Sequence, residues 1–160
     1  MPRPASHDRA KKNSKHARER ELFYKYLTHK GLKRTKQRDV VLELFLSNDT
    51  HLTAEDIYQK LKHKHSDIGY STVYRTLKLL KECDLAREVY FADGRMYFEH
   101  QFEQPHHDHM VCTQCGHTIE FFNATIEALQ DRVAEENGFT PTRHTMVIFG
   151  LCRKCRDKGP

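Results

Sequence analysis

Two Cys-x-x-Cys pairs, Cys112 with Cys115 and Cys152 with Cys155, are separated by 36 residues in the last third of the chain. Each pair is a knuckle that can hold half of a tetrahedral zinc, with thiolates about 2.3 Å from the ion. Four thiolates leave no open coordination position, so the chemistry they predict is structural. The separation exceeds that of a usual zinc ribbon, and the metal would clamp the two ends of a β-α-β unit rather than fold a short loop. No secretory apolar stretch follows Met1, which predicts a cytosolic protein whose paired thiols are metal ligands, not bridges. The fifth cysteine, Cys83, reads as a small buried hydrophobe within a helix.

A chain of 160 residues accommodates two small domains. With 38% hydrophobic residues, nowhere in a long run, it has no candidate membrane span. The net charge of +5 is unevenly placed. Residues 1–90 hold 20 Lys and Arg against 12 Asp and Glu, whereas residues 91–160 hold 7 against 10. A positive field on the first half alone attracts phosphate backbones, although a solvated basic surface would carry the same charge.

Residues 1–15 contain two prolines and many basic residues but nothing large and apolar after Met1. They read as a flexible basic arm. Four helical patterns follow: near 16–30, with Leu22, Phe23, Tyr26 and Leu27 on one face and Gly31 as the stop; near 35–47; from Thr53, where Thr53 and Asp56 suit a capping box; and from Ser71, burying Val73, Leu77 and Leu80. Residues 86–99 then alternate with period two around Ala92-Asp93-Gly94-Arg95, as a β-hairpin does. Helix-turn-helix plus hairpin is a winged helix. Beyond a linker around Pro105 come a strand through Met110 and Val111, a strand at 118–122, a helix near 124–137 and a last strand at 145–151. The fold class is therefore α+β: an arm (1–15), a winged-helix domain (16–100), a hinge (101–106) and an α/β domain with the four-cysteine zinc site (107–160).

On the fourth helix, Ser71, Thr72, Tyr74, Arg75 and Lys78 lie opposite the apolar stripe. Hydroxyl, aromatic and guanidinium groups on one face suit the major groove, where Arg bonds guanine edges or phosphate and Tyr or Thr packs on thymine methyls. A solvated helix face is the plain alternative. In the run His106-His107-Asp108-His109, strand alternation turns His107 and His109 one way and His106 and Asp108 the other. Imidazole and carboxylate together suit iron(II), manganese or zinc.

Several motifs in order now carry a resemblance: Gly31-Leu32-Lys33-x-Thr35-x-x-Arg38, His51-x-x-Ala54-Glu55-Asp56, Ser71-Thr72-Val73-Tyr74-Arg75, His106-His107-Asp108-His109 and the two cysteine knuckles. From about Gly31 to Cys155 the chain resembles the ferric uptake regulator (Fur) family of metal-dependent bacterial repressors. The resemblance implies a homodimer, with tetramers on DNA as a further option, built from an N-terminal winged helix and a C-terminal dimerisation domain. It implies a regulatory metal on His51, Glu99, His107, His109 and Glu120, a further metal on His106, Asp108, Glu127 and His144, and structural zinc on the four cysteines. Lys33, Arg38, Ser71, Thr72, Tyr74 and Arg75 would meet DNA.

The expected function is iron(II)-dependent repression of iron-uptake genes at a palindromic A/T-rich operator, with Mn(2+) or Zn(2+) able to substitute. Within the family, peroxide sensing is expected to use aspartate where this chain has Glu120, and zinc sensing to use a cysteine; the only spare thiol, Cys83, ends the reading helix. The chain departs from the family's pattern twice. The segment between Glu99 and His107 is one residue longer and supplies His100 and Glu103 as rival ligands, and the arm is longer and more basic. Outside the family, a metallohydrolase at the His and carboxylate site would need a general base for which no spacing such as His-Glu-x-x-His is present. A zinc-stabilised interaction module would leave the basic half idle.

Overall fold

The structure is a computed structural model that describes residues 6–48, 50–91 and 93–158, with side chains from residue 13 onward. Helix α1 spans Ser6–His29. It begins well before residue 16, so the expected flexible arm is helical from Ser6 on, while residues 1–5 lie outside the described residues. Ala10, Lys11, Lys12, Lys15, Ala17 and Arg18 are strong helix formers, and a helix already nucleated at an anchored end gains one hydrogen bond per added residue. At its other end, Leu32 N–H reaches Leu27 C=O and Gly31 N–H reaches Thr28 C=O, a closure that needs the left-handed Gly31 (φ 66°).

Helix α2 (Lys36–Ser47) is capped by Thr35, and α3 (Ala54–Leu61) by a reciprocal box of Thr53 and Asp56. Helix α4 covers Tyr70–Glu82. It closes as α1 does, but with Asp84 in the left-handed position (φ 57°) and Leu85 N–H on Leu80 C=O. Strands β1 (Ala86–Tyr90) and β2 (Met96–His100) pair antiparallel, Arg87 opposite Glu99 and Val89 opposite Tyr97. Gly94 has φ 71° in the turn between them, and Ala92 of that turn lies outside the described residues. Phe23 and Leu27 of α1 join Leu42, Phe45, Ile57, Val73, Leu77, Leu80, Leu85 and Phe98 in one sealed core.

Strands β3 (Asp108–Cys112), β4 (Thr118–Phe121) and β5 (Val147–Gly150) form a second sheet in the order β4-β3-β5. The β3–β4 pair is antiparallel and the β3–β5 pair parallel, so α5 (Ala124–Glu136) serves as the crossover. A short α6 (Arg153–Arg156), absent from the sequence expectation, carries Cys155.

The chain divides into two compact units: α1 through Gln104 without the hairpin turn, and the turn Phe91–Arg95 with everything from Pro105 on. The hinge expected over 101–106 is thus apportioned, residues 101–104 to the first unit and Pro105 with His106 to the second. The α+β class and the winged-helix element order agree with expectation. No helix among the described residues is long and apolar enough to cross a membrane.

Candidate metal centres

The two knuckles meet because β3 ends in Cys112 and β5, its parallel neighbour, runs directly into Cys152. One sulfur from each of Cys112, Cys115, Cys152 and Cys155 lies within 4.8 Å of the other three. The Sγ atoms of Cys115 and Cys152 are 3.8 Å apart. A tetrahedron of thiolates about 2.3 Å from its ion has edges of about 3.8 Å, so the donor set fits zinc. The backbone N–H of Cys152 donates to Cys112 Sγ at 3.3 Å and, with the Cys115 N–H, pulls the Cys112 thiol down to about 6. Bonding to the Cys115 sulfur, then burial, holds the Cys155 thiol up at about 12. Without a cation the cluster keeps that proton; a divalent ion displaces it. Cys83 is a separate case. Its buried Sγ faces Leu80 C=O at 3.4 Å, and burial pushes it up to about 12, which leaves it inert at neutral pH.

A second constellation draws on three elements of the same unit. Asp108 opens β3, Glu127 stands in the first turn of α5 where the helix N-terminus favours a carboxylate, and His144 precedes β5. His106 Nε2 lies 3.3 Å from Asp108 Oδ1 and 3.5 Å from Glu127 Oε1, and His144 Nε2 lies 3.3 Å from Glu127 Oε2. One ligand atom of each of the four lies within 4.8 Å of the others. Nε2 of both histidines, Oδ2 of Asp108 and Oε1 of Glu127 are buried without a hydrogen-bond partner. Four converging polar atoms in that state are costly unless a cation accepts their lone pairs, so two imidazoles and two carboxylates fit a divalent ion. The Met146 backbone N–H donates to Asp108 Oδ1 at 3.2 Å and fixes that carboxylate. This main-chain donor leaves no mark in the sequence.

The residues expected for a regulatory ion are divided between the units. In the first, the bridge between Leu52 and Phe98 sets His51 beside Glu99, with His51 Nε2 2.5 Å from Glu99 Oε2. Arg87, across the hairpin, also meets the Glu99 carboxylate. The sequence reading omits this partner, although counting back through the hairpin turn finds it. The rival ligands are committed elsewhere. His100 stacks on Phe45 with ring centroids 4.4 Å apart, and its Nε2 donates to the carbonyls of Phe45 and Asn48. Glu103 accepts both arms of Arg18 at 2.5 and 2.8 Å. In the second unit His109 is opposite Glu120 in the β3–β4 register, His107 Nε2 is 3.9 Å from Glu120 Oε2, and the two histidine rings are 5.1 Å apart. Pro105 C=O at 3.1 Å orients the His107 ring through Nδ1.

On α4, Ser71, Tyr74 and Arg75 are exposed and Thr72 half-buried, while Val73 and Leu77 are sealed in the core. Lys78 is occupied by Glu88 at 2.7 Å. Lys33 is exposed, but the Arg38 guanidinium turns back onto the Lys33 carbonyl instead of standing free.

A winged-helix unit followed by an α/β unit carrying a four-cysteine centre and His/carboxylate centres defines a metal-binding transcription regulator. The chain belongs to the Ferric uptake regulator family, whose profile matches residues 29–149. It is 42% identical over 140 residues to the ferric uptake regulation protein of Campylobacter jejuni, covering 86% of this chain and 88% of that one. It is 40% identical over 134 residues to the Neisseria meningitidis serogroup B protein of the same name, covering 83% and 92%. Among solved structures, the Helicobacter pylori ferric uptake regulator Fur, which reveals three functional metal binding sites, superposes with a TM-score of 0.79 at 28% identity, covering 88% of this chain and 93% of that one. The Francisella tularensis ferric uptake regulator with iron gives 0.71 at 32% identity, covering 79% and 96%.

Proposed function

We propose that the chain is an iron-responsive repressor that acts in the cytoplasm as a homodimer on palindromic A/T-rich operator DNA. The observation that carries this reading is that each unit, taken alone, brings together side chains able to hold part of an ion: His51 with Glu99 in the first, His107 with Glu120 in the second, beside His109. A single iron(II) shared by these five residues would tie the DNA-binding unit to the dimerisation unit. Only an ion that binds one relative arrangement better can shift the population toward it, and this donor set supplies that difference.

In the closed dimer, Tyr74 and Arg75 of the two copies enter successive major grooves, Ser71 and Thr72 hold phosphates at the start of the helix, and Lys33 reaches the backbone. Arg38 supports Lys33 by bonding its carbonyl. The four cysteines would hold a zinc that keeps the second unit in shape, and His106, Asp108, Glu127 and His144 would hold an ion that braces α5 against the sheet. Glu120, rather than aspartate, supports iron homeostasis over peroxide sensing. A manganese- or zinc-responsive variant of the same switch is the second reading, supported by likeness to a zinc-bound manganese uptake regulator (TM-score 0.60, 34% identity). Membership in a family of transcription regulators weighs against a hydrolase.

The test is a DNA shift assay on a palindromic A/T-rich duplex with iron(II) or manganese(II), then with chelator. Metal should strengthen binding at least tenfold, and His107→Ala with His109→Ala should abolish that gain while leaving a dimer. Equal binding with and without metal would sink the switch. A metal preference for manganese or zinc at equal free concentration would move the assignment to the second reading.

A further inference from the structure

The first twenty residues hold seven Lys and Arg, namely Arg3, Arg9, Lys11, Lys12, Lys15, Arg18 and Arg20, against Asp8 and Glu19. Two of them, Arg18 and Arg20, have partners in the first unit. Arg18 is forked onto Glu103 and lies 5.9 Å over the Phe102 ring, and Arg20 is forked onto Glu43 at 2.5 and 2.7 Å. Glu19 between them is fully buried, and Phe23 and Leu27 are in the core. From Arg18 onward, therefore, α1 is fastened to the first unit. From Ser6 to Ala17 the same helix continues with no residue more apolar than alanine. This stretch, about 18 Å long, has no apolar stripe in its sequence. At about 100° per residue, positions 11, 12 and 15 share one side of it. Among the described side chains of this stretch Asn13, Ser14 and Ala17 are exposed and Lys15 and His16 half-buried, the charge of His16 acting on Glu43 beside Arg20.

We propose that this extension is a second DNA contact, a stiff basic rail that lies along the phosphate backbone outside the base-reading helix and adds affinity without sequence preference. The proposal rests on the DNA-binding reading given above. Charge complementarity selects the occupant: a helix that inserts into a membrane surface uses an apolar face, which residues 6–17 lack, whereas a phosphate chain requires only cations. The fastened root makes the rail more effective than a loose tail, because its direction is fixed before DNA arrives and less entropy is lost on binding.

The experiment measures binding of the full manganese-loaded chain by fluorescence anisotropy, on the palindromic duplex and a scrambled duplex of equal length, across roughly a fourfold range of salt. Lys11→Ala, Lys12→Ala and Lys15→Ala together keep helix propensity while removing charge. The triple variant should lose affinity by the same factor, about tenfold or more, on both duplexes. Its slope of log affinity against log salt should be shallower by about 3 to 5, since each lost phosphate contact removes about 0.9 and a dimer has two rails. A triple Lys→Arg variant should restore both. A slope equal to the parent's overturns the rail, as does a loss confined to the palindrome. If the parent binds vesicles containing phosphatidylglycerol, the triple variant does not, and the DNA slope is unchanged, the surface belongs to membranes and the proposal fails. Failure of the parent itself to bind either duplex would instead remove the underlying DNA-binding reading.

Discussion

Helices α4 and α5 are the same length, 13 residues, and each has an apolar stripe, yet the stripes end up in opposite conditions. In α4, Val73, Leu77 and Leu80 are completely buried. In α5 no residue is buried, and Leu129 and Val133 keep 49% and 58% of their surface. The contrast extends across the units. The first closes its core within one chain, whereas the second leaves Met110, Ile119, Phe139, Ile148 and Phe149 exposed and has an open apolar trough of about 800 Å³ between Ile126, Leu129, Val133, Phe139 and Met146. An apolar stripe in a sequence records that a face must be covered, not that its own chain covers it. In the proposed dimer, metal and a second copy of the chain would supply what the second unit lacks in core.

The largest effect should come from breaking the four-cysteine cluster, since the second unit buries little apolar surface besides Phe91, Val111, Cys112 and Cys155. Structural zinc binding to four-ligand sites contributes about 10 kcal/mol or more of apparent folding free energy. Cys152→Ser should therefore unfold β3 to β5 while α2, α3 and α4 stay folded. Hydrogen exchange resolves the two units: the variant's second-unit amides should exchange at unprotected rates and the first-unit amides at the parent's. Retained protection in the second sheet would mean that its core suffices without zinc.

The next effect separates the two helices. Leu129→Asp with Val133→Asp places charges on the uncovered face and should weaken self-association at least a hundredfold, about 3 kcal/mol, with the monomer still folded. Leu77→Ala on α4 should do the reverse, costing about 2–5 kcal/mol of stability without changing the oligomeric state. Sedimentation and thermal unfolding of both variants decide it. A dimer that survives both aspartates would show that α5 is not the covering face.

Much of this contrast is legible in the chain, and the omissions have physical causes. The cap of α3 and the stop of α1 are readable because Thr53 with Asp56, and Gly31, act locally. The alternation in His106-His107-Asp108-His109 separates the His107 and His109 pair from the His106 and Asp108 pair as the structure does, because strand period depends on nothing distant. The start of α1 escapes a sequence reading because apolar content says little about a helix extended by propensity from an anchored end. The fates of His100 and Glu103 are also illegible: they depend on Phe45 and Arg18, far away in sequence. The inward turn of Arg38 onto a main-chain carbonyl has no sequence signal at all.

The smallest effect tests whether the first unit depends on electrostatics where the second depends on metal. Glu88 on β1 lies between Lys78 at 2.7 Å and Lys81 at 2.5 Å, tying the wing to the end of α4. Burial alone would push its carboxyl up, but the two ammonium groups outweigh that and hold it below the ordinary 4.5. A carboxylate lowered on folding contributes stability that is fully present above its unfolded pKa and disappears as pH falls through the folded one. Because both lysines are more than a third exposed, the contribution is about 1 kcal/mol after screening. Glu88→Gln should therefore lower stability by about that amount at pH 7, and parent and variant should converge as the pH drops well below 4.5. Denaturant unfolding followed separately for the two units is the measurement. An equal loss in acid and at neutrality would assign the effect to packing, whereas a loss in the second unit would contradict the independence of the two cores.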